Sequence, residues 1–425
     1  MSATRTGNKR LLRDLNQSIV FNMIVERGSI SRTELAKQSG LPAATITRIV
    51  GNFLSAGLVS EVSSEESSGG RRPVLLSINP SAGYIVGVKL REDSMTVAIC
   101  DLNCTIIYAL EENTLANADT LPHRVVEAIA EAVKRCLSEA GISVRKVLGV
   151  GVGLSGLIDS SRGICRYSAI LNWRDVELGP ALEFKLRLPV RMDNDVNTLA
   201  VAERYFGAGR DAANFLLVTV GRGVGLGIVV GGEIYRGSHG GAGEFGHMTV
   251  DTSADAPLCN CGKRGCLEAI ASDYGILRAA TGIDPGHHVE DTIGTLIDRA
   301  RMGDANTQAI FTRAGNALGV AVANLINIFD PARVLISGEG LRAGDLLLEP
   351  MRATIPLHTF GPSGESVELV PRPTDEASWA RGAASLILRE VFQPPIYENE
   401  EALVIDDLLS QASSQRRRKG ELREA

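Results

Sequence analysis

The chain has 425 residues, of which 44% are hydrophobic, so it is too long for one small domain and long enough for two or three packed units. No run of 18 apolar residues occurs and the first ten residues, MSATRTGNKR, are polar, which excludes a membrane protein and a secretory leader and predicts a cytoplasmic protein. The net charge of −6 is unevenly distributed along the chain. Residues 1–80 hold ten Lys and Arg and six Asp and Glu, a charge of +4, which leaves −10 for residues 81–425. Only the first segment is therefore expected to bind nucleic acid.

Three helices are predicted at the start of the chain. In residues 11–27 apolar side chains recur at helical spacing and are expected to form one buried face: Leu12, Leu15, Ile19 and Met23. A second helix opens at SRTEL, a capping box in which Ser31 caps the first turn and Glu34 is its reciprocal partner. Gly40 turns the chain into a third helix, whose inward positions are Ile46, Val50, Phe53 and Leu54. This arrangement predicts a helix-turn-helix motif, with a plain helical bundle as the alternative.

The third helix is predicted to lie in the major groove of double-stranded operator DNA. Its exposed early residues offer methyl, hydroxyl and guanidinium groups to base edges and phosphates: Ala44, Thr45, Thr47 and Arg48. Ser31 and Arg32, at the start of the preceding helix, are further candidate DNA-binding residues. Residues 58–78 predict two strands around a polar loop, a β-wing in which Arg71 and Arg72 can reach a phosphate or the minor groove.

From residue 83 the pattern changes to short strands followed by helices, and this order occurs twice, which predicts two α/β lobes with a cleft between them. Ligands bind such folds at the carboxyl ends of strands. The cleft is therefore expected at the glycine-rich strand ends 151–156, 221–227 and 338–340. Residues 393–425, which include RRRK at 416–419, are predicted to be largely disordered.

The segment CNCGKRGCLE holds three of the seven cysteines of the chain. Cys259, Cys261 and Cys266, together with the upstream His247, can supply three thiolates and one imidazole, which complete a tetrahedral Zn²⁺ shell without an open position. A disulfide between two of the thiols is the alternative, and a reducing cytoplasm disfavours it. We therefore predict a structural zinc element at residues 247–266.

The motifs GEFGHM, CNCGKRGCLEA and GVGLSGLID together resemble the signature of the ROK family, which contains bacterial sugar kinases and sugar-responsive repressors. The resemblance extends to about residue 390. It implies an α/β protein with a winged helix-turn-helix domain at 1–80 and, at 81–392, a two-lobed actin-like, ribonuclease H-like sugar-kinase fold. It also implies a sugar site beside the zinc, formed by Asn172, Asn194, Asp195, Glu244, His247 and Glu268. If the family resemblance is set aside, each carboxylate is interpreted as an ordinary surface group, and Asp195 as a helix cap.

The expected kinase turn is degraded at Gly87–Ser94. Family kinases carry Asp-x-Gly-Gly-Thr there, whereas this chain has Lys89 in place of the Asp and Arg91 and Glu92 in place of the glycines. Charged side chains would block the approach of backbone N–H groups to a nucleotide phosphate. The second phosphate loop, GRGVGLG, keeps its glycines but has Arg222 where the kinases have Thr.

The sequence therefore predicts a sugar-responsive regulator and not an enzyme. The simplest form is a repressor of carbohydrate-utilisation genes whose operator binding is modulated by a sugar or a sugar phosphate. An ATP-dependent sugar kinase and a regulator sequestered by a protein partner are the alternatives. Because such DNA readers bind paired half-sites, a homodimer or homotetramer is expected.

Overall fold

The computed structural model describes residues 9–63, 74–113, 120–282 and 289–392. The expected fold class is confirmed: a winged helix-turn-helix unit precedes two α/β lobes. Arg71, Arg72 and the predicted disordered tail at 393–425, with RRRK, lie outside the described residues.

The winged helix unit consists of three helices and a three-stranded antiparallel sheet of order β1-β3-β2. Its elements are α1 (Lys9–Arg27), β1 (Ile30–Ser31), α2 (Arg32–Ser39), α3 (Ala43–Ala56), β2 (Val59–Ser63) and β3 (Val74–Ile78). Ser31 caps α2 as predicted, since its Oγ accepts a hydrogen bond from Glu34 N at 3.1 Å. The Glu34 carboxylate, however, accepts from Gln38 Nε2 at 2.6 Å, so the capping box is only half formed. Gly40 ends α2 in the left-handed conformation, at φ 68°.

The predicted buried face of α1 is correct only in part, since Leu15 and Met23 are half-buried and Met23 packs on the core. Leu12 is 59% exposed and Ile19 39% exposed, whereas the buried apolar residues of α1 are Leu11, Val20, Phe21 and Ile24. The reason is that α1 packs on two sides. One side contacts α3, where the Phe21 and Phe53 rings meet edge to face with their centroids 5.7 Å apart, and the other side packs against the following lobe. A helix buried on two sides does not present the single apolar stripe on which the prediction relied.

The first lobe is built on a five-stranded sheet of order β11-β7-β4-β5-β6. Its strands are β4 (Tyr84–Leu90), β5 (Met95–Cys100), β6 (Ile106–Glu112), β7 (Val147–Leu154) and β11 (Val190–Asn194), and its outer helices are α4 (Pro122–Glu139) and α5 (Leu178–Leu186). A small antiparallel sheet that the sequence did not predict follows in the same lobe: β8 (Leu157–Asp159), β9 (Ile164–Ser168) and β10 (Trp173–Val176).

The second lobe carries a five-stranded sheet of order β14-β13-β12-β15-β16. Its strands are β12 (Phe215–Val220), β13 (Val224–Val230), β14 (Glu233–Ile234), β15 (Arg333–Ser337) and β16 (Glu368–Arg372). Its helices are α7 (Glu268–Ala271), α8 (Asp273–Thr281), α9 (Val289–Arg301), α10 (Ala305–Phe329), α11 (Asp345–His358) and α12 (Ser363–Ser366). Among the described helices α10 is long and apolar enough to cross a membrane, but 56% of its apolar window is buried and it packs in the core of this lobe.

Two further helices, α6 (Asp195–Phe206) and α13 (Glu376–Phe392), pack on one another beside the first sheet. The carbonyl oxygens of Ala380 and Ala383 occupy the space that a Cβ would take on Gly87 of β4 and Gly151 of β7. Only glycine at these two strand positions lets α13 lie directly on the sheet. The backbone of α13 is thereby fixed against the first lobe.

The winged helix unit and the first lobe share one apolar core. Buried side chains of α1, α2 and α3 form a single cluster with Ile85, Cys100 and Leu148 of the lobe and with Ile387 and Leu388 of α13. Outside this core, the Arg210 guanidinium donates hydrogen bonds to the carbonyl oxygens of Val25, at 3.1 Å, and Glu26, both in the last turn of α1. The winged helix unit is therefore packed against the first lobe rather than tethered to it.

Candidate functional site

A cavity of about 650 Å³ lies between the lobes. It is lined by the end of β4, the start of α6, the β12–β13 turn and residues 240–247, so it occupies the strand ends that the sequence predicted. Five of the six predicted sugar contacts line it: Asn194, Asp195, Glu244, His247 and Glu268. The sixth, Asn172, is exposed in the turn before β10 with a φ of 53° and is not part of the lining.

The start of α6 holds two of these residues at the cleft. Asn194 is the N-cap: its Oδ1 accepts from Val196 N at 2.9 Å, and its Nδ2 donates to Gly156 O at 3.2 Å. Asp195, the first residue of the helix, also accepts from Val196 N, at 2.9 Å through Oδ1. Helix capping therefore orients both side chains at the cavity lining, and their oxygens can each accept more than one hydrogen bond.

Lys89, which the sequence marks as a departure from the kinase turn, has a partner in the fold that the sequence did not predict. It is 7% exposed, its Nζ forms an ion pair with Asp195 Oδ2, and it lies 4.7 Å from the centroid of the Trp379 ring in a cation–π contact. A charged residue at the end of a buried strand requires a partner, and that rule was the available signal. Trp379, the cleft-facing aromatic of α13, carried no comparable signal in the sequence.

Glu244, His247 and Glu268 form a second part of the cavity wall. His247 Nε2 lies 3.9 Å from Glu244 Oε2, and Glu268 Oε2 accepts from Val224 N at 3.2 Å. Desolvation in the cleft raises the pKa of Glu244, and the carboxylates of Glu268 and Asp195 raise it further, against the lowering by His247. The wall is thus rich in hydrogen-bond acceptors for hydroxyl groups.

The other nitrogen of His247 belongs to a compact metal-ligand cluster with Cys259, Cys261 and Cys266, all four ligand atoms lying within 4.8 Å of one another. His247 Nδ1 is 3.6 Å from the Cys259 Sγ, and the sulfurs of Cys261 and Cys266 are 3.7 Å apart. A tetrahedral shell with bonds of about 2.0 to 2.3 Å places neighbouring ligand atoms about 3.5 to 3.8 Å apart. Burial raises the pKa of the Cys259 thiol to about 12, an effect that a bound cation opposes by stabilising the thiolate. The residues fit a closed four-coordinate metal site.

The region of the predicted phosphate turn is filled by charged side chains that join the lobes. Arg91 pairs with Glu376 of α13 and, at 3.3 Å, with Glu339 after β15. Arg222 in the β12–β13 turn lies 3.4 Å from Glu92. These pairs lie where the sequence comparison with kinases expects nucleotide phosphates, so the substitutions seen in the sequence act together in space.

On the winged helix unit, Ala44, Thr47 and Arg48 of α3 are exposed and Thr45 is half-buried, while Ile46, Val50 and Phe53 are buried. The predicted reading face therefore points to solvent. Thr47 Oγ1 donates to Ala43 O at 2.9 Å, so its hydroxyl group is engaged within α3. Arg32 pairs with Glu61 of β2 at 2.6 Å. The DNA-binding roles of these residues, and the sugar-binding roles above, stay predictions.

A winged helix unit packed on a two-lobed sugar-kinase fold, with a His/Cys₃ cluster beside the cleft, defines a DNA-binding relative of the sugar kinases. The chain belongs to the ROK family, whose model matches residues 85–390.

Known transcriptional regulators and a sugar kinase of this family are similar to this chain. NagC, the DNA-binding transcriptional dual regulator of Escherichia coli (strain K12), is 32% identical over 90% of this chain and 94% of its own length. The xylose repressor of Bacillus subtilis (strain 168) is 29% identical over 90% of this chain and 97% of its own. The crystal structure of a ROK family transcriptional regulator, a homologue of the E. coli MLC protein, matches with a TM-score of 0.77 at 26% identity, covering 95% of this chain and 100% of that one. The crystal structure of a ROK family glucokinase from Streptomyces griseus matches with a TM-score of 0.59 at 28% identity, covering 72% of this chain and 99% of that one.

Proposed function

We propose that this protein is a sugar-responsive DNA-binding transcriptional repressor of carbohydrate-utilisation genes, and not an enzyme. The observation that carries the proposal is the Lys89–Asp195 pair: the carboxylate that would act as general base in a family kinase is held by an ammonium group from the degraded phosphate turn. The similarity to repressors over nine-tenths of the chain, winged helix included, supports the same conclusion. The active kinase is thereby disfavoured.

The proposed organisation is a winged helix-turn-helix domain at 1–80 and a ROK sugar-binding domain at 81–392. In it, α3 reads the major groove through Ala44, Thr45, Thr47 and Arg48, with Ser31, Arg32, Arg71 and Arg72 on the DNA backbone or in the minor groove. A homodimer or homotetramer in the cytoplasm would present paired recognition helices to an operator.

The proposed effector site uses Asn194, Asp195, Glu244, His247 and Glu268 as hydrogen-bond partners of sugar hydroxyls, because carboxylate and amide groups recognise several hydroxyls at once. Asn172 joins this site only if its turn moves towards the cleft.

We propose that the bound metal is zinc, since three cysteines and one histidine with their ligand atoms within 4.8 Å of one another form the ligand set that Zn²⁺ prefers. His247, Cys259, Cys261 and Cys266 would hold it. The ion would have a structural role: it fixes the His247 ring so that Nε2 faces Glu244 and the cleft.

The route from cleft to DNA-binding domain would be the helix pair α6 and α13. Both helices contribute to the lining of the cavity, through Asp195 and Trp379, and the far end of α13 packs on the core that it shares with α1. Tyr205 and Phe206 at the end of α6 pack on the shared core, and Arg210 just beyond holds the last turn of α1. A sugar that favours one arrangement of these helices shifts the population of DNA-competent molecules by its differential affinity.

A direct test is operator binding by the purified protein with a panel of sugars. A sugar-dependent change in affinity without ATP supports the proposal, and ATP-dependent phosphorylation of a sugar contradicts it.

A further inference from the structure

We propose that the cleft selects an uncharged sugar and discriminates against the phosphorylated form of the same sugar. This inference rests on the proposed function and names the chemical class of its effector. It follows from the charges around the cavity, from the partners those charges already have, and from the groups that occupy the phosphate loop.

The cations that line the cavity are already engaged. Among the described residues they are four side chains of Lys and Arg: Lys89, Arg91, Arg222 and Lys263. The first three are paired with carboxylates, as described above, and Lys263 Nζ donates to the carbonyl oxygen of His247 at 2.7 Å. At Lys89, Arg91 and Arg222 a phosphate would have to displace a carboxylate before it gained an ion pair of its own, and only Lys263 has a neutral partner.

The carboxylates of the described lining outnumber these cations. There are five: Glu92, Asp195, Glu244, Glu268 and Glu339. Glu376, just behind the lining, adds a sixth negative group beside Arg91. A sugar phosphate carries about −1.5 to −2 charges near neutral pH, so it meets net repulsion in this partly desolvated space.

The glycines of the second phosphate loop are also covered by carboxylates. Glu339 Oε2 occupies the position that a Cβ would take on Gly221, and Glu268 Oε2 lies 2.9 Å from the corresponding position on Gly223. The N–H of Val224, in the same turn, donates to Glu268 at 3.2 Å. In a phosphate-binding loop such glycines leave room for phosphate oxygens, and here the protein's own carboxylate oxygens fill that room.

A neutral sugar suits the same surroundings. Its hydroxyl groups donate to carboxylate oxygens without adding charge, and Tyr167 and Trp379 supply aromatic surface in the lining. The cavity of about 650 Å³ is large enough for a mono- or disaccharide. The acceptor-rich wall therefore favours a ligand that brings hydroxyl donors and no anion.

The test is calorimetric titration of the full-length, zinc-loaded protein with matched pairs: glucose and glucose 6-phosphate, N-acetylglucosamine and its 6-phosphate, xylose and xylose 5-phosphate. In the pair that contains the effector, we expect the phosphorylated sugar to bind at least about tenfold more weakly, with a smaller difference at high salt because repulsion is screened. Equal or tighter binding of the phosphorylated sugar overturns this inference and leaves the proposed function standing. If no free or phosphorylated sugar binds, both proposals fail.

A single substitution isolates the electrostatic cause. Glu92→Gln removes a carboxylate beside Arg222 without changing the size of the side chain. It should lower the ratio between the dissociation constants of the phosphorylated and the free sugar at least about threefold, because the phosphate then meets one carboxylate fewer. The matched control Glu349→Gln, at the exposed Arg352–Glu349 pair of α11, should leave this ratio unchanged. An unchanged ratio in Glu92→Gln would show that charge is not the source of discrimination.

Discussion

The sharpest prediction concerns Arg210, because its side chain joins the end of the α6 segment to the DNA-binding unit without touching the cleft or the proposed reading face. Arg210→Ala removes hydrogen bonds to two carbonyl groups in the last turn of α1, together with a positive charge at that helix terminus. Hydrogen bonds to charged groups contribute about 1.5 to 3 kcal/mol, and the exposure of Arg210 reduces this to about 1 to 2 kcal/mol.

That magnitude is comparable with the coupling itself. Allosteric coupling free energies are typically about 1 to 3 kcal/mol. Losing about 1 to 2 kcal/mol should therefore reduce the sugar-induced change in DNA affinity by about 5- to 30-fold, for a wild type in which that change is at least as large. Sugar affinity should change much less, because the cavity residues are unaltered.

The assay is fluorescence anisotropy with a duplex selected in vitro from a random library, titrated with and without saturating sugar, while calorimetry follows sugar binding alone. The matched control is Arg352→Ala, which removes a guanidinium from an exposed pair on α11, away from the winged helix unit. If Arg210→Ala and wild type show the same fold-change on adding sugar, the proposed route through α6 is refuted.

Three further predictions test other parts of the account. Lys89→Met should lower the free energy of unfolding by about 3 to 5 kcal/mol in denaturant titrations, because it removes the ion-pair partner of Asp195. The double variant Lys89→Met with Asp195→Asn should regain most of this loss. Equal instability of the single and the double variant would contradict the pairing. Arg48→Ala should weaken sequence-selective DNA binding by about 5 to 150-fold in gel shifts while the circular dichroism spectrum stays unchanged, and undiminished selectivity would remove α3 from the interface. Cys261→Ser should abolish stoichiometric zinc in metal analysis and lower the unfolding temperature by more than about 5 °C, whereas full zinc occupancy would exclude Cys261 as a ligand.

Local chemistry in the sequence predicted the local structures well. The turn glycine at Gly40, the cap at Ser31 and the spacing of Ile46 and Val50 each act within a few residues, and the winged helix follows from them. The three cysteines cluster with His247 as expected because metal-ligand chemistry restricts the arrangement.

Features that depend on distant partners were not predictable in the same way. Leu12 and Ile19 were wrongly assigned to the buried face of α1, because the lobe that covers its second side is distant in the sequence. The Lys89–Asp195 pair joins residues 106 positions apart, and the sequence indicated only that Lys89 was out of place. Asn172 was taken from the family resemblance alone, and its exposed turn keeps it out of the cavity lining.

The central claim is that sugar binding controls DNA binding in a protein that has lost phosphoryl transfer. The most direct measurement is the dissociation constant for a selected operator duplex with and without saturating sugar, alongside a coupled assay for ADP in the same samples supplied with MgATP. The account predicts a change of at least about fivefold in operator affinity, independent of ATP, with no sugar-dependent ADP formation. Sugar-dependent ADP release with an operator affinity that no sugar alters would contradict it.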